Sequence, residues 1–275
     1  MSKDFTTLLQ TTTSPLVMGI LNVTPDSFSD GGQFDQINSA IEQAELMIQQ
    51  GADIIDIGGE STRPNAEEVS LEEELSRVIP AIKAIKSKFD VWVSIDTSKA
   101  EVMKQAVEAG ADIINDVRAL TLPGALDVAV QAQVPVCLMH MQGQPKNMQN
   151  NPQYDEVVTD VLQYLLERAD ECTQAGIAKA NIIIDPGFGF GKTADNNFKI
   201  LNQLDAFTAS GYPVLAGLSR KTMIGHATGQ DVENRVYGSV AGALICAQKG
   251  ADIIRVHDVQ ATVDALAVLE HTQRA

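Results

Sequence analysis

Three times along the chain the same five residues recur: Gly-Ala-Asp-Ile-Ile, at 51–55, 110–114 and 250–254. Each copy follows a stretch with helical periodicity and opens a short apolar run. Glycine ends a helix in the left-handed conformation at little cost, and paired isoleucines start a buried strand. A helix–glycine–strand unit spread over the whole length is what a fold assembled from βα units writes into its sequence.

Eight apolar runs fit that unit, at residues 16–21, 54–58, 91–95, 113–117, 134–139, 182–185, 213–218 and 253–257. They are mostly continuous, as expected for parallel strands covered by helices. Between them, Leu71, Leu75, Val78, Ile79, Ile82 and Ile85 recur at spacings of three and four, with Ser70 and Glu73 forming a capping-box signature in front. Ser98 with Glu101 repeats the signature. Tyr154, Val157, Val158, Val161, Leu162, Leu165 and Leu166 mark another helix, and residues 258–270 close the chain with a last one. A length of 275 residues suits one α/β barrel, about 250 residues being typical. No Pro-, Gly- and Ser-rich linker divides the sequence. The expectation is a single (β/α)8 TIM-barrel domain over 1–275, with its core at about 16–270. An open doubly wound sheet is the alternative, but eight strands in regular alternation favour closure, which removes the sheet edges.

A formal net charge of −16 argues against a nucleic-acid partner. It leaves room for an anionic ligand held by a local cluster of Arg and Lys. Cys137, Cys172 and Cys246 show no metal-ligand spacing and read as buried small hydrophobes. The first residues carry no signal-peptide pattern, and no apolar stretch reaches the roughly 18 residues of a membrane span. A cytoplasmic enzyme with no membrane partner is expected.

The strands end in polar residues. In order these are Asn22; Asp56, Glu60, Thr62 and Arg63; Asp96 and Thr97; Asn115 and Asp116; His140; Asp185; Ser219, Arg220 and Lys221; and Arg255, His257 and Asp258. Active sites of α/β barrels form at the carboxyl ends of the strands. Thr97, Ser98 and Asp116 read equally well as loop or helix caps. Asp96, Asn115 and Asp185 all terminate apolar runs, and a closed barrel aims them at one axial pocket. Two carboxylates and an amide suit a heterocycle rich in N–H donors, such as an aminopyrimidinone, with Lys221 answering a ring carbonyl or nitrogen. Arg63, Arg220, Arg255 and His257 add a positive cluster that matches phosphate. Together they describe a two-part ligand, a polar ring deep in the pocket and an anion at its mouth. The glycine-rich run at 185–193 resembles a P-loop superficially, but Pro186 stands where the first glycine belongs. It reads as a flexible loop with Phe188 and Phe190 as candidate aromatic walls.

These residues resemble a known family. The segment 18–32, Met-Gly-Ile-Leu-Asn-Val-Thr-Pro-Asp-Ser-Phe-Ser-Asp-Gly-Gly, and the segment 56–64, Asp-Ile-Gly-Gly-Glu-Ser-Thr-Arg-Pro, are similar to the two long signatures of dihydropteroate synthases. Asp96-Thr-Ser, Asn115-Asp, Met139-His-Met-Gln-Gly, Asp185-Pro-Gly-Phe-Gly-Phe-Gly-Lys, Ser219-Arg-Lys and Arg255-Val-His follow in the family's order. The resemblance spans about residues 16–270. It implies condensation of a 6-hydroxymethyl-dihydropterin diphosphate with 4-aminobenzoate, giving dihydropteroate and diphosphate in folate synthesis. It also implies a pterin pocket of Asp96, Asn115, Met139, Asp185 and Lys221, and a diphosphate and magnesium region of Asn22, Arg63, Arg255 and His257. Its aminobenzoate site is Thr62, Arg63, Pro64, Phe190, Lys221 and Thr222. Asp96, Asp185, Lys221, Arg255 and His257 are the expected catalytic set. Asn65 and Thr222 depart from residues common in the family, Gly and Ser; the hydroxyl of the latter survives. Sulfonamides are implied as competitive inhibitors and a homodimer as the assembly. An apolar stripe of Val236, Val240, Ala243 and Leu244 is a candidate interface, and packing on the barrel explains it equally well. Two other barrels share parts of the pattern. A pterin-binding methyltransferase serving a cobalt cofactor would not use the diphosphate cluster, and a non-catalytic partner subunit would not need every polar residue.

Overall fold

The computed structural model of the chain describes residues 4–24, 33–61, 69–143, 148 and 152–275. Among them are eight strands: β1 (Leu16–Asn22), β2 (Ile54–Gly58), β3 (Trp92–Asp96), β4 (Ile113–Asp116), β5 (Val136–Met139), β6 (Ile182–Asp185), β7 (Leu215–Ala216) and β8 (Ile253–Val256). The described helices are α1 (Phe5–Thr11), α2 (Gln33–Gln49), α3 (Leu71–Lys88), α4 (Ala100–Glu108), α5 (Ala125–Ala132), α6 (Val157–Ala175), α7 (Ala194–Asn202), α8 (Asp205–Thr208), α9 (Thr222–Thr228), α10 (Val236–Gln248) and α11 (Val259–Arg274). The strands form one parallel sheet in the order β6-β5-β4-β3-β2-β1-β8-β7. A parallel bridge between Ile184 and Val214 joins its two ends, with the Ile184 N–H donating to the Pro213 carbonyl at 2.9 Å. The sheet is therefore a barrel, and the open-sheet alternative falls.

Alternation along each strand sorts the residues. One parity, Val17, Leu21, Ile55, Ile57, Val93, Ile95, Ile114, Leu138, Ile184 and Ile254, packs in the shell shared with the helices. The other parity fills the barrel. At the amino-terminal end it is apolar: Leu16, Met18, Ile54, Trp92, Ile113, Cys137, Ile183, Leu215 and Ile253. Further along the same inward rows it becomes Asp56, Asp96, Asn115, Met139, Asp185, Arg255 and His257. The polar pocket is the upper part of a core whose lower part is apolar. Helix α1 plugs the lower end. Phe5, Leu8 and Leu9 join the apolar interior cluster, and the Phe5 ring meets Trp92 edge-on with centroids 5.9 Å apart. The sequence expectations contained no such helix.

The repeated pentapeptide has a structural function. Its glycines, Gly51, Gly110 and Gly250, take φ of 96°, 111° and 86°, which permits the sharp exit from each preceding helix. The aspartates, Asp53, Asp112 and Asp252, each make two bonds to one residue of a neighbouring strand start. Their N–H groups donate to the carbonyls of Val17, Val93 and Val214 at 2.9, 2.7 and 2.9 Å. Their carboxylates accept the N–H groups of the same three residues at 2.8 Å each. The repeat satisfies backbone donors that the bottom edge of the sheet leaves over.

Local expectations held unevenly. Ser70 caps α3, its oxygen accepting the Glu73 N–H at 3.2 Å. The second capping box did not form. Lys99 is the N-cap residue of α4 with no side-chain cap bond, and the Ser98 hydroxyl donates instead to Asp116. Asp116 also accepts the N–H groups of Arg118 and Leu120, so the loop-cap reading holds for Asp116 and fails for Ser98. The seventh strand is two residues long where a longer run was expected.

Candidate active site

Arg255 is the hub of the pocket. On β8 it stands between isoleucine and valine, a charge in the middle of an apolar run. Its Nε donates to Asp56 Oδ2 at 2.6 Å, and its Nη2 donates to Asp96 Oδ2 at 2.7 Å. Asn115 Nδ2 lies 3.4 and 3.3 Å from the two Asp56 oxygens. Sheet register places Gly58, Asp96 and Asn115 side by side and pairs Met139 with Asp185. Burial pushes Asp96 up to about 7 against the pull of the Arg255 charge, with Asp56, Asp116 and Glu74 adding repulsion. Burial pushes Asp185 up to about 6, opposed by the Gly187 N–H and by the charges of Lys221, Lys192 and Arg255. Arg255 itself is held firmly charged, its two carboxylate partners outweighing its burial.

The run after β6 is packed, which corrects the expectation of a flexible loop. Gly187, Gly189 and Gly191 adopt φ of 69°, 81° and 61°. A Cβ on Gly187 would stand 2.0 Å from the His140 carbonyl oxygen, and one on Gly191 would stand 2.3 Å from that of Gln142. Asp185 Oδ1 accepts the Gly187 N–H at 2.7 Å, Asn197 Oδ1 accepts the Gly189 N–H at 2.8 Å, and Tyr154 donates to the Gly191 carbonyl at 2.7 Å. The two phenylalanines divide. Phe190 clusters with Val117, Met139 and Met148, and Lys221 Nζ lies 4.0 Å from its ring centroid, a cation–π contact. Phe188 turns into the shell behind the strands and walls nothing.

Lys221 sits at the N-cap position of α9 without a side-chain cap bond, and its ammonium reaches over the Phe190 ring. Burial first, then the Arg255 charge, bring it down to about 8. Thr222, the first residue of α9, is exposed. His257 Nδ1 is 3.1 Å from Ser219 Oγ, and burial with the Arg255 and Arg220 charges lowers it to about 4. The pocket's positive charge at pH 7 thus does not include His257. Arg220 leaves the expected phosphate cluster as well. Its side chain forms an ion pair with Asp258, with Nε 3.0 Å from Oδ2, and its backbone sits at φ 58°.

Asn22 ends β1, and a Cβ on Gly58 would lie 3.7 Å from its Oδ1 and 3.7 Å from Asp96 Cβ. Thr62, Arg63 and Pro64 lie outside the described residues. The structure therefore brings together Asn22, Asp96, Asn115, Met139, Asp185, Phe190, Lys221, Arg255 and His257, and it adds two buried groups that no role had been assigned, Asp56 and Lys192. Arg255 supplied the signal for Asp56: a buried guanidinium needs a carboxylate, and Asp56 occupies the same inward parity. For Lys192 the sequence carried no comparable signal.

A parallel barrel with buried acids, an amide and two cations at the carboxyl ends of its strands defines an enzyme pocket for a polar, partly anionic small molecule. The family model described as pterin binding enzyme matches residues 18–257. The dihydropteroate synthase of Haemophilus influenzae is 58% identical over 261 residues, 95% of each chain. The crystal structure of the Yersinia pestis dihydropteroate synthase with a sulfonamide drug superposes with a TM-score of 0.91 at 52% identity, covering 95% of both chains. That of the Xanthomonas albilineans enzyme with 7,8-dihydropteroate does so at 0.88 and 49%, covering 96% of this chain and 95% of the other. The chain belongs to the pterin-binding enzyme family, among its dihydropteroate synthases.

Proposed function

We infer that the chain catalyses the dihydropteroate synthase reaction, joining (7,8-dihydropterin-6-yl)methyl diphosphate to 4-aminobenzoate with loss of diphosphate. The observation that carries this reading is the buried array Asn115–Asp56–Arg255–Asp96 with Asp185 and Lys221 beside it. Asp96, Asn115 and Asp185 offer acceptors to the N–H edge of the pterin, Lys221 offers a donor, and Met139 packs on the ring. Arg255 and His257 serve the diphosphate end; the family resemblance adds Arg63 there and assigns Thr62, Arg63, Pro64, Phe190, Lys221 and Thr222 to the aminobenzoate end. An aromatic amine is neutral at pH 7 and a weak nucleophile, so bond breaking to the leaving group runs ahead of attack. The carboxylates of Asp96 and Asp185 stabilise the positive charge that spreads over the dihydropterin ring. His257, neutral when the pocket holds no ligand, donates one hydrogen bond and takes a proton only once an anion lies against it.

The donor set suits magnesium. Among the described residues no cluster of three or more His, Cys, Asp or Glu could cage a metal. Asn22 offers one hard neutral oxygen, which fits an ion held mainly by diphosphate oxygens and water. When bound, the ion neutralises the departing diphosphate. Sulfonamides, seen on the Yersinia relative, are expected to compete with aminobenzoate. Three free, buried cysteines suit a reducing, cytoplasmic compartment. Among the described residues no helix is long and apolar enough to cross a membrane. A homodimer is part of the proposal, through an outer face considered below. The direct test mixes the chain with both substrates and magnesium. Diphosphate release that requires aminobenzoate is expected, and turnover is expected to stop in chelated buffer. Absence of release would overturn the reaction, and unchanged turnover after chelation would remove the metal.

A further inference from the structure

We propose that Lys192 is a positioning residue that fixes the aromatic wall of the aminobenzoate end by tying the turn after β6 to the end of β5. Its side chain is almost completely buried, at 2% exposure. Its ammonium lies 2.9 Å from His140 Nδ1, 3.0 Å from the Gly187 carbonyl, 3.0 Å from the Phe190 carbonyl and 3.2 Å from the His140 carbonyl. Three N–H donors thus face four acceptors, and the longest contact shares a hydrogen. All four acceptors belong to the protein, from two neighbouring strand ends. This lysine follows a glycine-rich run as a phosphate-binding lysine does, but it is spent on its own backbone and has no donor left for a ligand.

The surroundings explain the arrangement. Gly187 and Gly191 press so closely on the His140 and Gln142 carbonyls that no side chain fits. The turn therefore shows inward carbonyls that only a buried donor can satisfy. A Cβ on Gly189 would lie 3.1 Å from Lys221 Cδ, so the other face of the turn sets where Lys221 runs over Phe190. His140 is packed edge-on against Tyr164, with centroids 5.0 Å apart, and lies 6.0 Å from Tyr154. It is lowered to about 3 by burial and by the Lys192 charge, so it is neutral. With Nδ1 accepting from the ammonium, its proton sits on Nε2. The charged groups facing Lys192 are Asp185 at the end of β6 and Lys221 before α9; burial outweighs the Asp185 attraction and brings Lys192 down to about 7.

The test rests on the reading that Phe190 walls the aminobenzoate end, and Phe190→Ala checks that reading separately. Lys192→Met keeps the stem and removes the donors. Its Michaelis constant for aminobenzoate is expected to rise tenfold or more while that for the pterin diphosphate changes less than threefold. The acid limb of its kcat/KM profile is expected to move to higher pH, because Asp185 loses a neighbouring positive charge. A parallel change in both Michaelis constants, or an unmoved aminobenzoate constant with an unmoved acid limb, overturns the proposal. If Lys192→Met does not accumulate folded, His140→Leu carries the same test. It removes one acceptor while leaving the carbonyl, and a smaller version of the same split is expected. An unchanged aminobenzoate constant in that variant also overturns the proposal. If Phe190→Ala leaves aminobenzoate binding untouched, the assignment of the wall fails instead.

Discussion

At the scale of single residues the pocket is built from charges held where water would ordinarily solvate them. Asp185 illustrates the cost. A carboxyl raised from 3.8 to about 6 by burial loses on the order of 3 kcal/mol at most when ionised in the folded chain. The raised folded value means that this contribution to stability is complete below pH 3.8 and is lost as the pH rises through about 6. Asp185→Asn is therefore expected to raise the thermal midpoint of the ligand-free chain at pH 8 while slowing turnover by orders of magnitude. Calorimetry and a diphosphate assay on the same preparation check both; a lower midpoint, or near-normal turnover, would contradict it. Ligand binding should carry the opposite pH sign. The acceptors for the pterin are the ionised carboxylates, so affinity should fall as the pH drops through about 7, where Asp96 protonates, and more steeply below about 6, where Asp185 follows. Titration of a pterin between pH 8 and 5.5 reads this. Asp96→Asn should erase the upper step, and persistence of that step would assign it elsewhere. Most of these residues were legible because polar side chains closed apolar runs. Asp56 was harder, since it lies inside its run and its meaning depends on Arg255, 199 positions away.

At the scale of elements, the repeated pentapeptide revealed three strand starts with little ambiguity because the same backbone problem recurs at the bottom of three strand pairs. The plug helix α1 escaped because it is seven residues long, rich in threonine, and offers only Phe5, Leu8 and Leu9 to the core. A helix that short gives too few turns for periodicity to register. Ser98 failed as a cap for a different reason: a buried Asp116 nearby was a better partner for its hydroxyl than the helix start, and nothing local records that competition. The plug matters because it covers the apolar layer beneath the pocket. Phe5→Ala should destabilise the chain by about 3–5 kcal/mol, the usual cost of removing a buried aromatic ring. The chain has a single tryptophan, Trp92, directly against Phe5. Its emission should shift to the red in the variant before global unfolding, while diphosphate release per folded molecule stays close to normal. An unfolding free energy within about 0.5 kcal/mol of the parent, the usual limit for surface substitutions, would show that α1 does not plug the barrel.

At the scale of the whole molecule, the proposed homodimer requires an outer face suited to a second copy. The sequence pointed to Val236, Val240, Ala243 and Leu244 on α10. Ala243 is 2% exposed and packs in the core, with Leu244 partly buried against it, and Gly242 faces Leu218 so closely that a Cβ would stand 2.3 Å away. That part of the stripe belongs to the barrel. The outward row of the same helix is one position out of phase: Tyr237 is 85% exposed and Ile245 39%, with Ala241 exposed between them. Val232 just before the helix and Val268 on the adjoining α11 are exposed as well, at 42% and 68%. Large apolar side chains gathered on two neighbouring helices are what a monomer tends to cover, and a two-fold contact places the same patch against itself. A chain carrying −16 formal charges repels its own copy at long range, so attachment depends on this short-range apolar contact and is expected to tighten with salt. The double variant Tyr237→Asp, Ile245→Asp should therefore sediment as a monomer at micromolar concentration where the parent sediments as a dimer. Both side chains are exposed, so the variant's circular dichroism should be unchanged. A parent that is monomeric would remove the dimer altogether, and a variant that remains dimeric would move the interface to another face.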